Sequence, residues 1–150
     1  MDYEQRAKAL FLEGYNCAQA VFLAFAEERT DRETAARLAS GFGGGLAGTR
    51  NTCGTVSGMA MAYGLLRGYG DPADKAGKQA EYEAIRDMMA EFERENGSTV
   101  CRVLLGLDPD TRYQAPSDRT ADYYRKRPCA ELCACAAGIL ARWLEAHPQR

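Results

Sequence analysis

The stretch NCAQAVFLAFAEE, residues 16–28, decides the fold class of this chain. Asn16 is a favoured N-cap residue, and Gln19 three positions later completes a capping-box pattern. Val21, Phe22 and Phe25 then recur at the spacing of a core-facing helical stripe. Before it, Asp2 to Glu13 reads as a first helix with Ala7, Leu10 and Phe11 on one face, stopped by Gly14. After it, Thr30 or Asp31 caps a third, shorter helix ending near Ser40. The segment GFGGGLAGTRNTCG, from Gly41 to Gly54, is too rich in glycine to be regular helix. A fourth helix follows from about Gly54 to Arg67 and contains Ser57, Gly58 and Gly64. A helix-interior Gly costs about 1 kcal/mol relative to Ala, so these small residues mark close approach by another backbone or a ligand.

Asp71-Pro72 opens the longest predicted helix, Pro72 to Glu95, because proline suits a first helical position; Asn96-Gly97 closes it. Ser98 or Thr99 caps a short helix carrying Cys101, Val103, Leu104 and Leu105. Leu107 to Asp118 reads as a loop, a short helical turn passes through Tyr123 and Tyr124, and Pro128 begins a last helix to about Ala146. Period-2 alternation of β-branched residues is nearly absent. The expectation is all-α: a single compact domain of about six to eight helices, with a Gly-rich loop before the fourth helix. Neither an internal repeat nor a second domain is visible.

The 150 residues suffice for one buried core, and 46% apolar with 27% charged residues is a globular balance. The net charge is -2 with both signs interspersed, which lacks the basic footprint of a nucleic-acid or membrane-surface binder. MDYEQRAKALFLEG carries charge through its first eight residues and so offers no apolar signal core. No apolar run reaches the roughly 18–20 residues that span a bilayer. A soluble cytoplasmic protein without membrane insertion is expected, and a reducing compartment disfavours structural disulfides.

That expectation makes the six cysteines informative. Cys17 follows the Asn16 cap, Cys53 sits where the Gly-rich loop becomes helix, Cys101 follows Ser98-Thr99, and Cys129 follows Pro128. Each is predicted in or beside the first turn of its own helix. Unpaired N–H groups and the positive end of the helix dipole favour thiolate there, by up to about 2 kcal/mol. Arg50, near Cys53, and Arg102, beside Cys101, would add to the effect. Gly44 and Gly45 would let backbone N–H groups crowd around Cys53 as an anion-tolerant nest; the plainer reading is a helix C-cap and flexible turn. Cys133 is spaced i, i+4 from Cys129 and shares its face, whereas Cys135 points about 200° away from Cys133 and reads as core packing.

Close-spaced ligand motifs are missing. Without CxxC, thioredoxin chemistry and zinc ribbons lose their usual signature, as do ferredoxin-type cysteine runs. The only histidine, His147, stands in EAHPQR near the terminus, so no CxxCH haem attachment exists. The Gly-rich loop lacks the Gly-Lys-Ser/Thr ending of a phosphate loop and follows a helix instead of a strand.

NCAQAV around Cys17, GFGGGLAGTRNTCGTVSG through Cys53, GSTVCRVLLG around Cys101 and PCAEL around Cys129 together resemble the C-GCAxxG-C-C family of redox-active proteins. The match covers nearly the whole chain in order; CGTVSG departs from the family only in placing Thr55 where Ala is usual. The resemblance implies a compact helical fold and four characteristic cysteines at Cys17, Cys53, Cys101 and Cys129, with Cys133 and Cys135 extra. A related group, the split-Soret cytochromes, combines a similar domain with haem and an iron–sulfur centre. Without a haem motif, only the cluster carries over.

Three functions follow from these readings. The first is a centre ligated by Cys17, Cys53, Cys101 and Cys129, an iron–sulfur cluster or other thiolate-bound metal, working with a redox partner that the sequence does not identify. The second is metal-free thiol–disulfide chemistry, with Cys53 as a fast-alkylating nucleophile beside Arg50, Gly44 and Gly45, resolved by Cys17 or Cys101. The third is a non-enzymatic helical accessory module, compatible with a homo-oligomer. Whether the chain is an enzyme stays open between them.

Overall fold

The computed structural model describes residues 1–149. Among them run eight helices: α1 Tyr3–Leu12, α2 Cys17–Ala26, α3 Arg32–Ala39, α4 Gly54–Arg67, α5 Lys75–Asn96, α6 Cys101–Leu104, α7 Ala121–Lys126 and α8 Cys129–Ala146. The described residues contain no strand; the one β-type pairing is an isolated bridge between Thr52 and Val100.

The centre of the molecule is α2. Its Asn16 capping box is present in full, with Asn16 Oδ1 accepting from Gln19 N–H and Gln19 Oε1 accepting from Asn16 N–H. Beyond the expected stripe, Ala20, Leu23, Ala24 and Ala26 are also buried. A helix apolar all round must be enclosed, and α1, α3, α4 and α8 pack about it. The α2–α4 crossing is close because a Cβ on Gly58 would lie 2.6 Å from the Ala18 carbonyl and 3.1 Å from Val21. Alongside, α8 buries Leu132, Cys133, Ala136, Ala137, Ile139 and Leu140 against α1 and α2. One continuous core results.

Two predicted helix starts move. α5 begins at Lys75 instead of Pro72, because Asp71 accepts from Ala73 N–H to make a turn and Asp74 caps the helix through Gly77 N–H. Gly97 closes it in the left-handed region at φ 89°. α6 begins at Cys101 with Val100, and neither Ser98 nor Thr99, at its N-cap. The cause is long-range: Cys53 N–H donates to Thr99 O, Cys101 N–H to Asn51 O and Arg102 N–H to Arg50 O. The Gly-rich loop is thereby tied to the entrance of α6.

That loop is ordered by its own backbone. Arg50 N–H donates to Gly44 O and Asn51 N–H to Gly45 O, folding residues 41–51 into a tight coil. Leu46, Ala47 and Arg50 all take positive φ, at 72°, 51° and 61°. Side-chain-bearing residues avoid that region, at about 1–2 kcal/mol each. No helix among the described residues is long and apolar enough to cross a membrane.

Candidate functional site

Four helix starts meet at one cavity of about 420 Å³. Cys17, Cys101 and Cys129 are the first residues of α2, α6 and α8, and Cys53 is the N-cap of α4. All four line that cavity. The pairing of residues 50–53 with 99–102 carries two of them in, since Cys53 and Cys101 both lie on the joined segments. The Asn16 cap delivers Cys17, and the turn of α7 into Pro128 delivers Cys129. Gly54 brings α4 so close to α2 that an added Cβ would strike Cys17 Sγ. All six cysteines are free thiols; Cys53 and Cys101 are buried, Cys17 and Cys129 half-buried.

The cysteine-spaced pattern therefore corresponds to a physical cluster. The family model described as "Putative redox-active protein (C_GCAxxG_C_C)" matches residues 15–143. The chain belongs to this family. No curated protein and no solved structure matches it.

The remaining cysteines of this redox-active family member stand apart from the cavity. Cys133 is fully buried one turn along α8, its Sγ donating toward the Cys17 carbonyl at 3.8 Å. Cys135 faces the opposite side of α8, between Glu95 Oε2 at 2.9 Å and Asn96 Nδ2 at 3.4 Å. Neither lines the cavity.

Two expectations about charge need correction. Arg50 serves the other cysteine, reaching across to donate from Nη1 to Cys101 Sγ at 3.6 Å, while Arg102 turns away from both to Asn51 Oδ1 and Thr49 O. Sequence adjacency pointed the other way because it could not register the loop's crossing over α6. The glycines also divide. Gly44 lines the cavity and its amide serves Cys17, not Cys53. Gly45 is outside it, pressed so closely on the Arg50 and Asn51 backbone that a Cβ would sit 2.6 Å away.

The second correction is to ionisation. Burial pushes the Cys17 thiol up to about 11, aided by Cys129, and the amides of Gly44 and Ala18 offset this only in part. Burial raises Cys53 to about 12, against the opposing hydrogen bonds from Thr55, whose Oγ1 lies 3.0 Å from Cys53 Sγ. Burial and then Cys53 raise Cys129 to about 11. Metal-free Cys17, Cys53 and Cys129 are therefore neutral thiols at pH 7. A helix start favours thiolate only as far as solvent remains.

Sequence reading missed Arg119, Arg127, Thr55, Gln114 and Tyr123, all in the cavity wall. Arg119 lies over Phe11 and Tyr123, with ring centroids at 4.3 and 5.0 Å, and donates to Phe11 O and Tyr15 O. Its hydrogen-bond partners, the Phe11 and Tyr15 carbonyls, lie more than a hundred residues away, so no local pattern announces it. The wall holds no aspartate, glutamate or histidine. Its softest donors are the four thiols. Among the described residues, no three Cys, His, Asp or Glu side chains are drawn tightly enough together to hold a single ion.

Proposed function

We propose that the cavity holds a thiolate-ligated metal centre, an iron–sulfur cluster by preference, and that the protein exchanges electrons with a redox partner. The observation that carries this reading is the arrival of Cys17, Cys53, Cys101 and Cys129 from four helices at one cavity. The donor set supports it: the wall offers four thiols and no carboxylate or imidazole, the composition that selects iron–sulfur clusters over hard cations.

When bound, such a centre would supply one-electron transfer. The chain's own residues would do the rest. Each ligating cysteine gives up its proton, the starts of α4 and α8 offset the negative charge gathered there, and Arg50 donates to the Cys101 sulfur. Hydrogen bonds to sulfur and positive helix ends raise a cluster's potential. The raised Cys53 thiol weighs against the alternative in which Cys53 is a ready nucleophile.

Anaerobic reconstitution of the full chain with iron and sulfide tests the proposal. The expected product is coloured, retains both elements through gel filtration, and loses them in Cys17→Ser, Cys53→Ser, Cys101→Ser or Cys129→Ser. Cys135→Ser, outside the cavity, should load like the parent. A folded parent chain that stays colourless and iron-free after reconstitution rejects the reading.

A further inference from the structure

Three arginines line the cavity, Arg50, Arg119 and Arg127, and none forms an ion pair with a carboxylate among the described residues. Guanidinium stays charged at every working pH, and a buried charge without a counter-ion is costly. Arg50 is the sharpest case. It is 6% exposed, its Nε has no acceptor, and its backbone is held at φ 61°. Strain of that kind persists where the surroundings impose it, typically at binding sites.

Other groups face the same space. Gln114 Oε1 is buried without a partner, leaving its amide free to turn either end toward a ligand. The 14-residue α4 and the 18-residue α8 both begin in the wall without a side-chain cap, through Gly54 and Cys129. Their first N–H groups and dipoles favour an anion. Arg119 is already oriented, clamped by two carbonyls and stacked on Phe11 and Tyr123, and Arg127 lies over the Tyr123 ring at 5.4 Å. Preorganised guanidinium forks with amide donors suit a ligand with several oxygens around one centre.

We infer that the arginine-lined part of this cavity is a binding site for a compact tetrahedral oxyanion of the sulfate or phosphate type. Arg50, Arg119 and Arg127 contribute the charge, and Gln114 with the starts of α4 and α8 contributes neutral hydrogen bonds. The site needs no metal on the thiols, so it goes beyond the electron-transfer reading and stands or falls separately from it.

The test uses the full chain, metal-free and reduced. Sulfate and phosphate are titrated calorimetrically at constant ionic strength against a chloride background, with melting temperature followed in parallel. The expected result is saturable one-site binding with a rise in melting temperature that chloride does not give. Arg127→Gln, a half-buried position away from the core, should remain folded and bind at least about tenfold more weakly, the loss of one charge-assisted contact. Arg125→Gln, whose guanidinium pairs with Asp122 outside the cavity, should bind as the parent does. Absence of saturable binding, equal effects of chloride, or full affinity in Arg127→Gln would each overturn the inference. All three leave the iron and sulfide experiment unaffected.

Discussion

At Cys53 two effects oppose each other. The N-cap position on α4 favours thiolate by up to about 2 kcal/mol. The thiol is nonetheless moved from 9.0 to about 12, a net cost to ionisation of about 4 kcal/mol, and burial is the first cause. Burial wins, and reactivity follows, because the thiolate is the nucleophile. In the metal-free chain at neutral pH, Cys53 should therefore alkylate with iodoacetamide at least about tenfold more slowly than in the unfolded chain. Peptide mapping of the labelled protein over time would measure it; a Cys53 faster than an unfolded thiol would restore the nucleophile reading. The Asn16 cap and Pro128 marked in the sequence that Cys17 and Cys129 begin helices. The proton affinities of Cys17, Cys53 and Cys129 depend on burial and on neighbours such as Cys129 beside Cys17, brought in by tertiary packing that no local window contains.

Among the elements, α4 shows what glycine spacing can and cannot convey. Ser57, Gly58 and Gly64 read alike as marks of close approach, yet α2 lies against Gly58 while a Cβ on Gly64 would meet nothing within 4 Å. The two glycines should thus respond oppositely to the same change. Gly58→Ala must push apart two helix backbones at the Ala18 carbonyl and is expected to destabilise by about 1–3 kcal/mol. Gly64→Ala gains helix propensity without a clash and should stabilise by up to about 1 kcal/mol. Urea unfolding midpoints of the two variants provide the comparison, and destabilisation of equal size would contradict the close α2–α4 crossing. The helices themselves were legible because caps such as Asn16, Asp31 and Gly97 are local chemistry. The start of α6 was not, since residues 99–102 answer to residues 50–53 a third of the chain away. Arg119 escaped for the same reason.

Across the whole molecule, enclosing several thiols beside one another makes stability depend on pH in a definite direction. Cys17 and Cys129 titrate near 11 and Cys53 near 12 in the folded, metal-free protein, against 9.0 as the ordinary value; Cys133 is also raised well above it. Between those limits the unfolded chain has shed protons that the folded chain still holds. Stability therefore falls as pH rises. The contribution is whole below pH about 9 and is lost progressively as pH climbs through the folded values near 11 and 12. Tyr63 and Tyr123, raised from 10.0 chiefly by burial, act in the same direction over the upper part of that window. Because the thiols raise one another, their losses are not additive, but the fall should reach about 3 kcal/mol or more by pH about 11. Denaturant midpoints measured on the metal-free chain across this range would show it, and replacing buried Cys133 by Ala should make the decline shallower. A midpoint that stays level from pH about 8 to about 11 would mean that water reaches these sulfurs freely. The four helix starts would then surround an open basin, and both sulfur ligation and anion capture would have to operate in the high dielectric of solvent, where each is weakest.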